Sequence, residues 1–217
     1  MQAVPHGTGK PASATTASDP ADADDVRRRI LDAAQEVFAQ CGYAGATTRE
    51  IAERAGIGKR MLFYYFINKD AVYRAVLERV VTGLTQIHVQ FRTHPGPIGL
   101  AEAVEGMTLF AAHNLPAVRV WMREIIDGGP HLEGLVREYL VPVYGLAGEE
   151  VARNMRAGVF RPGDPMHVLV NVGGLTLFYF LILPMLGFVW DKDPLAPDVL
   201  AERVAVTQAM LMKGLAL

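Results

Sequence analysis

Cysteine is almost absent from the sequence: Cys41 is the only one among 217 residues. A single cysteine excludes an internal disulfide and is typical of a protein in the reducing cytoplasm. The six histidines are scattered, so no Cys and His cluster has the spacing of a metal site. Neither a nucleophile elbow nor a Gly-rich phosphate loop occurs. We therefore expect no catalytic residue, no metal ligand and no cofactor, and nothing in the sequence favours an enzyme.

Strand-like alternation of apolar and polar residues is also missing at any useful length. The chain reads instead as helices separated by Pro and Gly, and its 51% of hydrophobic residues can form a sizeable core. Beyond the first 68 residues, helices are predicted over 69–91, 97–114, 116–126, 131–157, 165–190 and 197–213, with Asp164 as the N-cap and Pro165 as the first residue of the fifth. Pro142 should bend the fourth of these helices. The predicted fold class is all-α.

Residues 1–21 are rich in Pro, Ala, Ser, Thr and Gly and show no apolar periodicity. They lack the apolar stretch of a signal peptide. We expect a disordered tail here and assign no site to it.

The most informative part of the chain runs from Arg27 to Asp70. Apolar residues recur at helical spacing from Val26 to Cys41, which predicts a long amphipathic helix that ends at Gly42. This periodicity puts Cys41 on the buried face, where we expect a small core residue.

Two short helices follow the long one, and a tight turn joins them. Thr47 and Glu50 form a capping box that begins the first short helix. Gly56 ends it, because glycine accepts the left-handed backbone that the turn requires, while Ile57 fills the space between the helices. The second short helix is predicted over 59–65. This arrangement is a helix-turn-helix, whose usual partner is the DNA major groove.

The run TTREIAERAGIGKRMLFYYFINKD, which begins at Thr47, resembles the DNA-binding head of the TetR family of bacterial transcriptional regulators. The resemblance rests on Thr47, Thr48, Ile51, Ala52, Ala55, Gly56, Ile57, Lys59, Leu62, Tyr65, Phe66 and Lys69, with Phe38, Gly42 and Tyr43 before them. A match of so many residues at fixed spacing is specific. It implies a three-helix DNA-binding head, followed by a helical domain that binds a ligand and forms a dimer.

The resemblance also implies DNA contacts at matching positions. Thr48 and Arg49 correspond to residues that touch backbone phosphate, and Lys69 corresponds to a phosphate-binding lysine. Residues 59–61 occupy the base-reading start of the recognition helix, and 63–65 occupy positions that contact phosphates, sugars or thymine methyls. The predicted DNA-binding set is Thr47, Thr48, Arg49, Gly58, Lys59, Arg60, Met61, Phe63, Tyr64, Tyr65 and Lys69.

Three positions depart from the common pattern of the family. Gly58 stands where serine is frequent, so a hydroxyl that could cap the helix is missing. Arg60 stands where a small residue is common, and its guanidinium can bind a guanine or hold a phosphate. Phe63 replaces a tyrosine and loses a hydrogen bond; Phe63 and Tyr65 can also belong partly to the core. These changes should alter which DNA sequence is read.

Charge is distributed unevenly along the chain. Residues 26–79 carry ten Lys and Arg against six Asp and Glu, whereas the flanking segments 1–25 and 80–217 are both net negative. A basic head in a protein of overall charge −2 is expected of a domain that neutralises phosphates. The run of arginines at 27–29 can alternatively be an ordinary solvated face.

The most apolar segment, 168–190, is long enough to cross a membrane. Because its flanks are poor in charge and Gly173, Gly174 and Pro184 interrupt it, we reject a membrane span and expect a helix buried on all sides. In the TetR-like arrangement, this helix and the last one pack against their copies in a second subunit as a four-helix bundle. The predicted dimer contacts are Gly173, Gly174, Leu177, Leu181, Val204, Gln208 and Leu211.

The remaining helices should enclose an effector pocket, as in the family. Candidate residues are Phe110, His113, Trp121, Met122, Glu124, Ile125, Tyr144, Asn171, Phe178 and Tyr179. Each of them is more often a core residue than a ligand contact. Their mostly apolar and aromatic character favours a small lipophilic or aromatic effector.

Together these observations predict a tail at 1–21, a DNA-binding domain at 22–68 and an effector-binding and dimerisation domain at 69–217. The predicted function is that of a cytoplasmic repressor, which binds a palindromic operator in double-stranded DNA as a homodimer and is released by its effector. Effector binding should move the base of the fourth helix, near 73–80, and change the separation of the two heads. Nonspecific DNA binding and, from 168–190 alone, a membrane protein are the competing interpretations.

Overall fold

A computed structural model describes residues 20–94 and 96–215, and their side chains apart from those of 20–22 and 88–93. Within these residues the chain forms α-helices and one π-helical segment but no strand, which confirms the all-α class. The helices are α1 (Pro20–Gly45), α2 (Thr48–Arg54), α3 (Lys59–Tyr65), α4 (Lys69–Thr93), α5 (Pro97–His113), α6 (Leu115–Asp127), α7 (Leu132–Leu135), α8 (Val141–Arg156), α9 (Pro165–Leu181), α10 (Leu183–Val189) and α11 (Pro197–Leu215). The predicted tail lies outside the described residues up to position 19, and its last two residues are helical instead.

Helix α1 breaks at Gly42, where φ is 71°, so the predicted end of the long helix is confirmed. The expected burial of Cys41 is wrong, because its thiol-bearing side chain is exposed. Cys41 lies at the open edge of the contact between α1 and α2, beside the polar residues Glu50, Glu53 and Arg54. The inward residue of this turn is Phe38, which is fully buried.

The helix-turn-helix packs against α1 through the residues that periodicity predicts. Ile51 and Ala52 of α2 are buried, and so are Leu62 of α3 and Phe66 just after it. Burying a side chain as large as leucine or phenylalanine stabilises by about 1.5–3 kcal/mol. These contacts hold α2 and α3 against α1 and leave their opposite faces to solvent.

Helix α4 connects the head to the rest of the chain. Its buried residues, which include Val72, Val76 and Val80, belong to a core that extends from Ile51 in the head to Phe180 in α9. A second core lies farther from the head, where α4 and α5 meet α8, α9 and α11. The head is therefore packed continuously onto the body through α4.

A glycine lets α5 lie close to α4. A Cβ on Gly83 of α4 would stand 2.3 Å from the ring of Phe110 on α5. No side chain can occupy that space without displacing the ring, so Gly83 fixes how these helices pack.

The predicted helix at 131–157 is divided in the structure. Helix α7 leads into a π-helical segment, Val136–Leu140, which leads directly into α8. Pro142 is the second residue of α8; it has no N–H for the carbonyl of residue 138, and its ring crowds that turn. The wider π-helical turn lies where Pro142 was expected to bend the chain.

The apolar segment predicted as a single buried helix at 168–190 is instead two helices, α9 and α10, which are bent by 65°. Pro184 cannot donate to the carbonyl of Phe180, and the chain breaks between the helices at Ile182. The expectation of burial on all sides is also wrong, because Val170, Phe178 and other apolar residues of this segment are exposed. No single described helix meets the length and composition of a membrane span, although α9 and α10 do so as a bent pair.

Candidate nucleic-acid interface

Helix α2 begins at the predicted capping box. The backbone N–H of Glu50 donates to Thr47 Oγ1 at 3.2 Å, and the backbone N–H of Thr47 donates to Glu50 Oε2 at 3.1 Å. The bond from the Thr47 hydroxyl, followed by that from its backbone, lowers the pKa of Glu50. Thr48 is half-buried and Arg49 is exposed, with Glu53 3.7 Å from its guanidinium. The cap fixes where α2 begins, and Arg49 stands in solvent on its first turn.

The turn between α2 and α3 is held by an arginine from α1. Gly56 has a φ of 66°, as the turn requires. The guanidinium of Arg29 donates to the carbonyl of Ala55 at 2.7 and 3.2 Å and to that of Gly56 at 3.3 Å. These carbonyls end α2 and have no partner within the helix. The sequence pattern did not single out Arg29 from the neighbouring arginines, and no local signal distinguishes it.

Helix α3 presents a mixed basic and aromatic face. Its N-cap, Gly58, makes no side-chain hydrogen bond, in line with the missing hydroxyl. Leu62 and Phe66 are buried, whereas the predicted DNA-contact residues of α3 are exposed to solvent to different extents. Lys59, Arg60, Met61, Phe63 and Tyr64 are exposed, and Tyr65 is half-buried.

Aromatic contacts order this face. Tyr64, which is 81% exposed, meets Tyr65 edge-on with ring centroids 5.3 Å apart. The ammonium of Lys59 lies 5.7 Å from the ring centroid of Phe63. A cation over an aromatic ring is weakly attracted at an exposed site, so Lys59 stays available to a stronger anionic partner.

Lys69, at the start of α4, already has partners in the protein. Its ammonium donates to the carbonyls of Tyr43 at 2.8 Å and Ala46 at 3.1 Å, and it lies 4.4 Å from the ring centroid of Tyr43. An ammonium has three donors, so at most one remains for a phosphate. Beside it, Ile67 is 83% exposed and was missed by the sequence analysis, since an isolated apolar residue in a loop carries no periodicity.

Hydrogen bonds join the C-terminal end of α6 and the loop after it to the first turns of α4. The carboxylate of Glu124, which is 3% exposed, accepts the Tyr73 hydroxyl of α4 at 3.0 Å and the backbone N–H of His131 at 2.8 Å. Burial, and then the charge of Glu124, raise the pKa of Tyr73. The ring of His131 is 2.8 Å from Asp70 on the first turn of α4. These bonds join the base of α4 to the loop between α6 and α7.

Two further features keep this junction in place. Arg123 donates to the carbonyl of Phe38 in α1 at 3.2 Å, so α6 is bonded to α1 of the head as well as to α4. A Cβ on Gly129 would be 2.2 Å from the Glu124 carboxylate, and only glycine leaves room for that buried group.

Among the cavities that the described residues line, two contain a predicted effector residue. Phe110 lines a cavity of about 670 Å³ between α1 and α4, and Met122 lines a different one of about 270 Å³ between α6 and α9. The remaining eight divide into buried Trp121, Glu124 and Tyr179, half-buried Tyr144, and exposed His113, Ile125, Asn171 and Phe178. Glu124 has both oxygens engaged within the protein.

The predicted dimer residues also differ in exposure. Within one copy, Gly174 and Leu181 are exposed, Gly173, Leu177 and Gln208 are half-buried, and Val204 and Leu211 are buried. The amide of Gln208 donates to the carbonyl of Ala101 in α5 at 2.9 Å. Exposed apolar residues that the sequence analysis did not select lie on the same helices, at Met166 and Val170 of α9 and at Val206 and Met210 of α11.

Comparison with known proteins matches both halves of the chain. Residues 30–76 match the bacterial regulatory proteins of the tetR family, and residues 98–211 match the tetracyclin repressor-like C-terminal domain. The HTH-type transcriptional regulator RutR of Escherichia coli strain K12 is 28% identical over 209 residues, which are 96% of this chain and 95% of RutR. The HTH-type transcriptional activator FasR of Mycolicibacterium smegmatis is 40% identical over 78 residues, or 36% of each chain.

A solved structure has the same fold. The ketosteroid transcriptional regulator KstR2 of Mycobacterium tuberculosis has a TM-score of 0.70 to this chain at 18% identity, covering 88% of this chain and 95% of KstR2. At that identity the likeness establishes the architecture alone. Because the family matches span both the helix-turn-helix and the helical body, the chain belongs to the TetR family of bacterial transcriptional regulators.

Proposed function

We propose that this chain is a ligand-responsive transcriptional repressor, which binds a palindromic operator as a homodimer and is released by a small, mostly apolar effector. Its DNA-binding domain would comprise residues 22–68 and its effector-binding and dimerisation domain residues 69–217. It would act in the cytoplasm, where operator and effector are both accessible.

The observation that carries the proposal is the division of α3 into two faces. Leu62 and Phe66 are buried against α1, whereas Lys59, Arg60 and Tyr64 point to solvent. In a helix-turn-helix, the first residues of the second helix reach base edges in the major groove. Arg60 can then bind a guanine at two atoms, while Tyr64 contacts the backbone.

Dimerisation is part of the proposal because one head reads too few base pairs to be specific among genomic competitors. The exposed apolar stripe of α9, formed by Met166, Val170 and Phe178, supports it, since a second copy would cover this surface. Two heads at a fixed separation would read half-sites roughly 34–36 Å apart.

Release by an effector would act through α4. Tyr73 and Asp70 tie the base of this helix to the corner after α6, so a ligand that shifts α6 would move the head. A coupling free energy of about 1–3 kcal/mol changes operator affinity by roughly 5- to 150-fold. The aromatic and aliphatic candidates of α5, α6 and α9 favour a lipophilic ligand.

The first test is selection of bound fragments from random DNA by the purified protein, with affinity then followed against salt. A palindromic motif with a steep salt dependence is expected. Affinity that is equal for all sequences would contradict the proposal. If nothing binds, the selection is repeated after unfolding and refolding, which removes any co-purified ligand; continued absence of binding would reject DNA recognition.

Once an operator is known, a transcription assay with that fragment upstream of a reporter decides the direction of control. Occupancy should lower transcript levels in proportion to protein added. A rise in transcript would make the chain an activator, the description that FasR carries.

A further inference from the structure

Helix α10 carries an apolar side chain that packs against almost nothing within one copy. Phe188 is 91% exposed, and Met185 and Val189 beside it are exposed as well. Exposing a contiguous apolar surface to water is unfavourable, and monomeric proteins seldom retain such a patch without a partner.

A groove lined by both apolar side chains and arginines lies between α6 and α9. It has a volume of about 270 Å³, and its walls include Met122 and Ile126 from α6, Phe180 and Leu181 from α9, and Pro184 from α10. A dry apolar cavity of about 150 Å³ is known to take a benzene molecule. This groove is therefore large enough for one phenylalanine ring.

The groove and Phe188 are close along the chain. Leu181 lines the groove and is partly exposed at the C-terminal end of α9, near the exposed Phe178. Pro184 is another wall, and Phe188 lies one helical turn beyond it on α10. Within one copy the ring remains exposed rather than filling the groove.

Charge on the two sides is complementary. Arg119 and Arg123 of α6 also line the groove; Arg119 is exposed, and Arg123 bonds to the carbonyl of Phe38. Three residues beyond Phe188 the chain carries Asp191, which is also exposed. A ring that enters the groove from another copy would bring this carboxylate towards the guanidinium of Arg119, and opposite charges at a rim favour the correct register.

We infer that Phe188 of each copy inserts into the α6–α9 groove of the other copy in the homodimer. The inference rests on the proposed dimer and extends it from α9 and α11 to α10 and α6. A two-fold interface is self-complementary, so one ring and one groove per copy give two equivalent contacts.

This contact would reach the junction that orients the head. Met122 lines the groove and lies two residues before Glu124, which holds Tyr73 of α4. Dimer formation would thus restrict the movement of α6 next to the Glu124–Tyr73 hydrogen bond. The separation of the two heads would therefore depend on the ring of Phe188.

The first experiment measures the dimer dissociation constant by sedimentation over a dilution series. Phe188→Ser removes the ring from both copies and should raise it by about 900-fold, the effect of removing two interface hot spots. Ile98→Ser is the matched control, because Ile98 is 65% exposed on the first turn of α5, outside this surface. Equal dissociation constants for Phe188→Ser and the wild type would overturn the inference.

The second experiment uses cross-linking and does not depend on removing the ring. In a Cys41→Ser background, copies with Phe188→Cys are mixed with copies with Ile126→Cys and oxidised. A disulfide requires Cα atoms within roughly 4.4–6.8 Å, so the mixture should give a covalent dimer of one copy of each kind. Cross-linking among Phe188→Cys copies alone would mean that the two α10 helices meet each other, and would overturn the inference.

The outcomes separate the two proposals. A wild-type chain that stays monomeric at all concentrations rejects the homodimer itself. A wild-type dimer that is insensitive to Phe188→Ser and yields no mixed disulfide keeps the dimer and rejects only this contact.

Discussion

The hydroxyl of Tyr73 donates a 3.0 Å hydrogen bond to the buried carboxylate of Glu124, 51 residues along the chain. Tyr73 belongs to α4, which follows directly on the head, and Glu124 lies in the last turn of α6 in the body. A buried carboxylate is tolerated only when its oxygens are satisfied, and the backbone N–H of His131 supplies the second bond. The pair therefore makes a polar link between the DNA-binding head and the body.

Truncating this link should destabilise the fold. Glu124→Ala leaves the buried Tyr73 hydroxyl and the partly buried His131 N–H without an acceptor, which costs about 1–3 kcal/mol for the hydroxyl and less for the N–H. Urea unfolding at one fixed protein concentration measures the loss. Glu133→Gln is the control, because Glu133 forms only an exposed ion pair with Arg137, and it should change the free energy of unfolding by less than about 0.5 kcal/mol. Equal stability of the two variants would contradict the structural role of Glu124.

Gly129→Ala should disturb the same link from its other side. The new methyl group would lie 2.2 Å from the anchored Glu124 carboxylate, so the carboxylate must leave its partners, at a cost of about 2 kcal/mol. Gly134→Ala meets no atom within 4 Å and lies in α7, where alanine is favoured by up to about 1 kcal/mol. The midpoint temperature of thermal unfolding should therefore fall for Gly129→Ala and rise for Gly134→Ala. A shift of both midpoints in the same direction would count against this packing.

On DNA, Lys69 and Arg60 should act differently. Lys69→Met removes two carbonyl bonds and would remove the proposed phosphate contact, so affinity should fall for every sequence and the salt slope should decrease by about 1. Arg60→Ala should instead relax the preference at particular base pairs, by about 1–3 kcal/mol. Affinities for a set of single-base operator variants distinguish these patterns.

Lys213→Met, at the far end of α11, is the matched control for loss of one positive charge and should bind DNA as the wild type does. Uniform losses from both Lys69→Met and Arg60→Ala across the operator set would refute the division of roles.

The cap of α2 should respond to acid through Glu50. Hydrogen bonds from Thr47 hold the pKa of Glu50 below its ordinary value of 4.5. Because the folded pKa is lowered, the cap contributes fully above the ordinary value and is lost as pH falls through the folded one. Carboxyl titration by NMR should show the pKa of Glu50 rising in Thr47→Ala and unchanged in Thr48→Ala. An unchanged value in Thr47→Ala would show that the cap does not form.

Cys41 should react readily in the folded protein. Its side chain is exposed, so a thiol reagent should modify it without denaturant and with one equivalent per chain. The rate in buffer is compared with that in urea, where every thiol is accessible. If the modification rate in buffer is slower by several orders of magnitude, Cys41 is buried in the core, as helical periodicity predicts.

Local sequence determined the elements of the head. The capping box at Thr47 and Glu50, the left-handed Gly56 and the inward Leu62 and Phe66 all depend on residues within a few positions of one another. Such interactions act over one or two helical turns, so their spacing can be read along the chain. The same spacing carries the family resemblance.

Periodicity was a poorer guide where helices end or meet. It placed Cys41 in the core, but the structure exposes this residue. It also predicted one helix through Pro184, but the chain bends before this proline. A periodic pattern gives the direction of a side chain but not whether another helix covers it. Exposure of the α9 stripe and of Phe188 likewise depends on which helices pack beside them.

The polar links were decided by tertiary structure alone. Arg29 binds the carbonyl of Ala55, 26 residues away, Glu124 binds Tyr73 across 51 residues, and Arg123 reaches Phe38 across 85. The sequence shows an arginine or a glutamate in each place, and such residues are usually solvated. Their partners become neighbours only when α1, α2, α4 and α6 pack on one core. The sequence by itself thus determined the helices and the turn of the head and the family, and only the packing decided where the later helices break and which carbonyls and hydroxyls the charged side chains of Arg29, Arg123 and Glu124 bind.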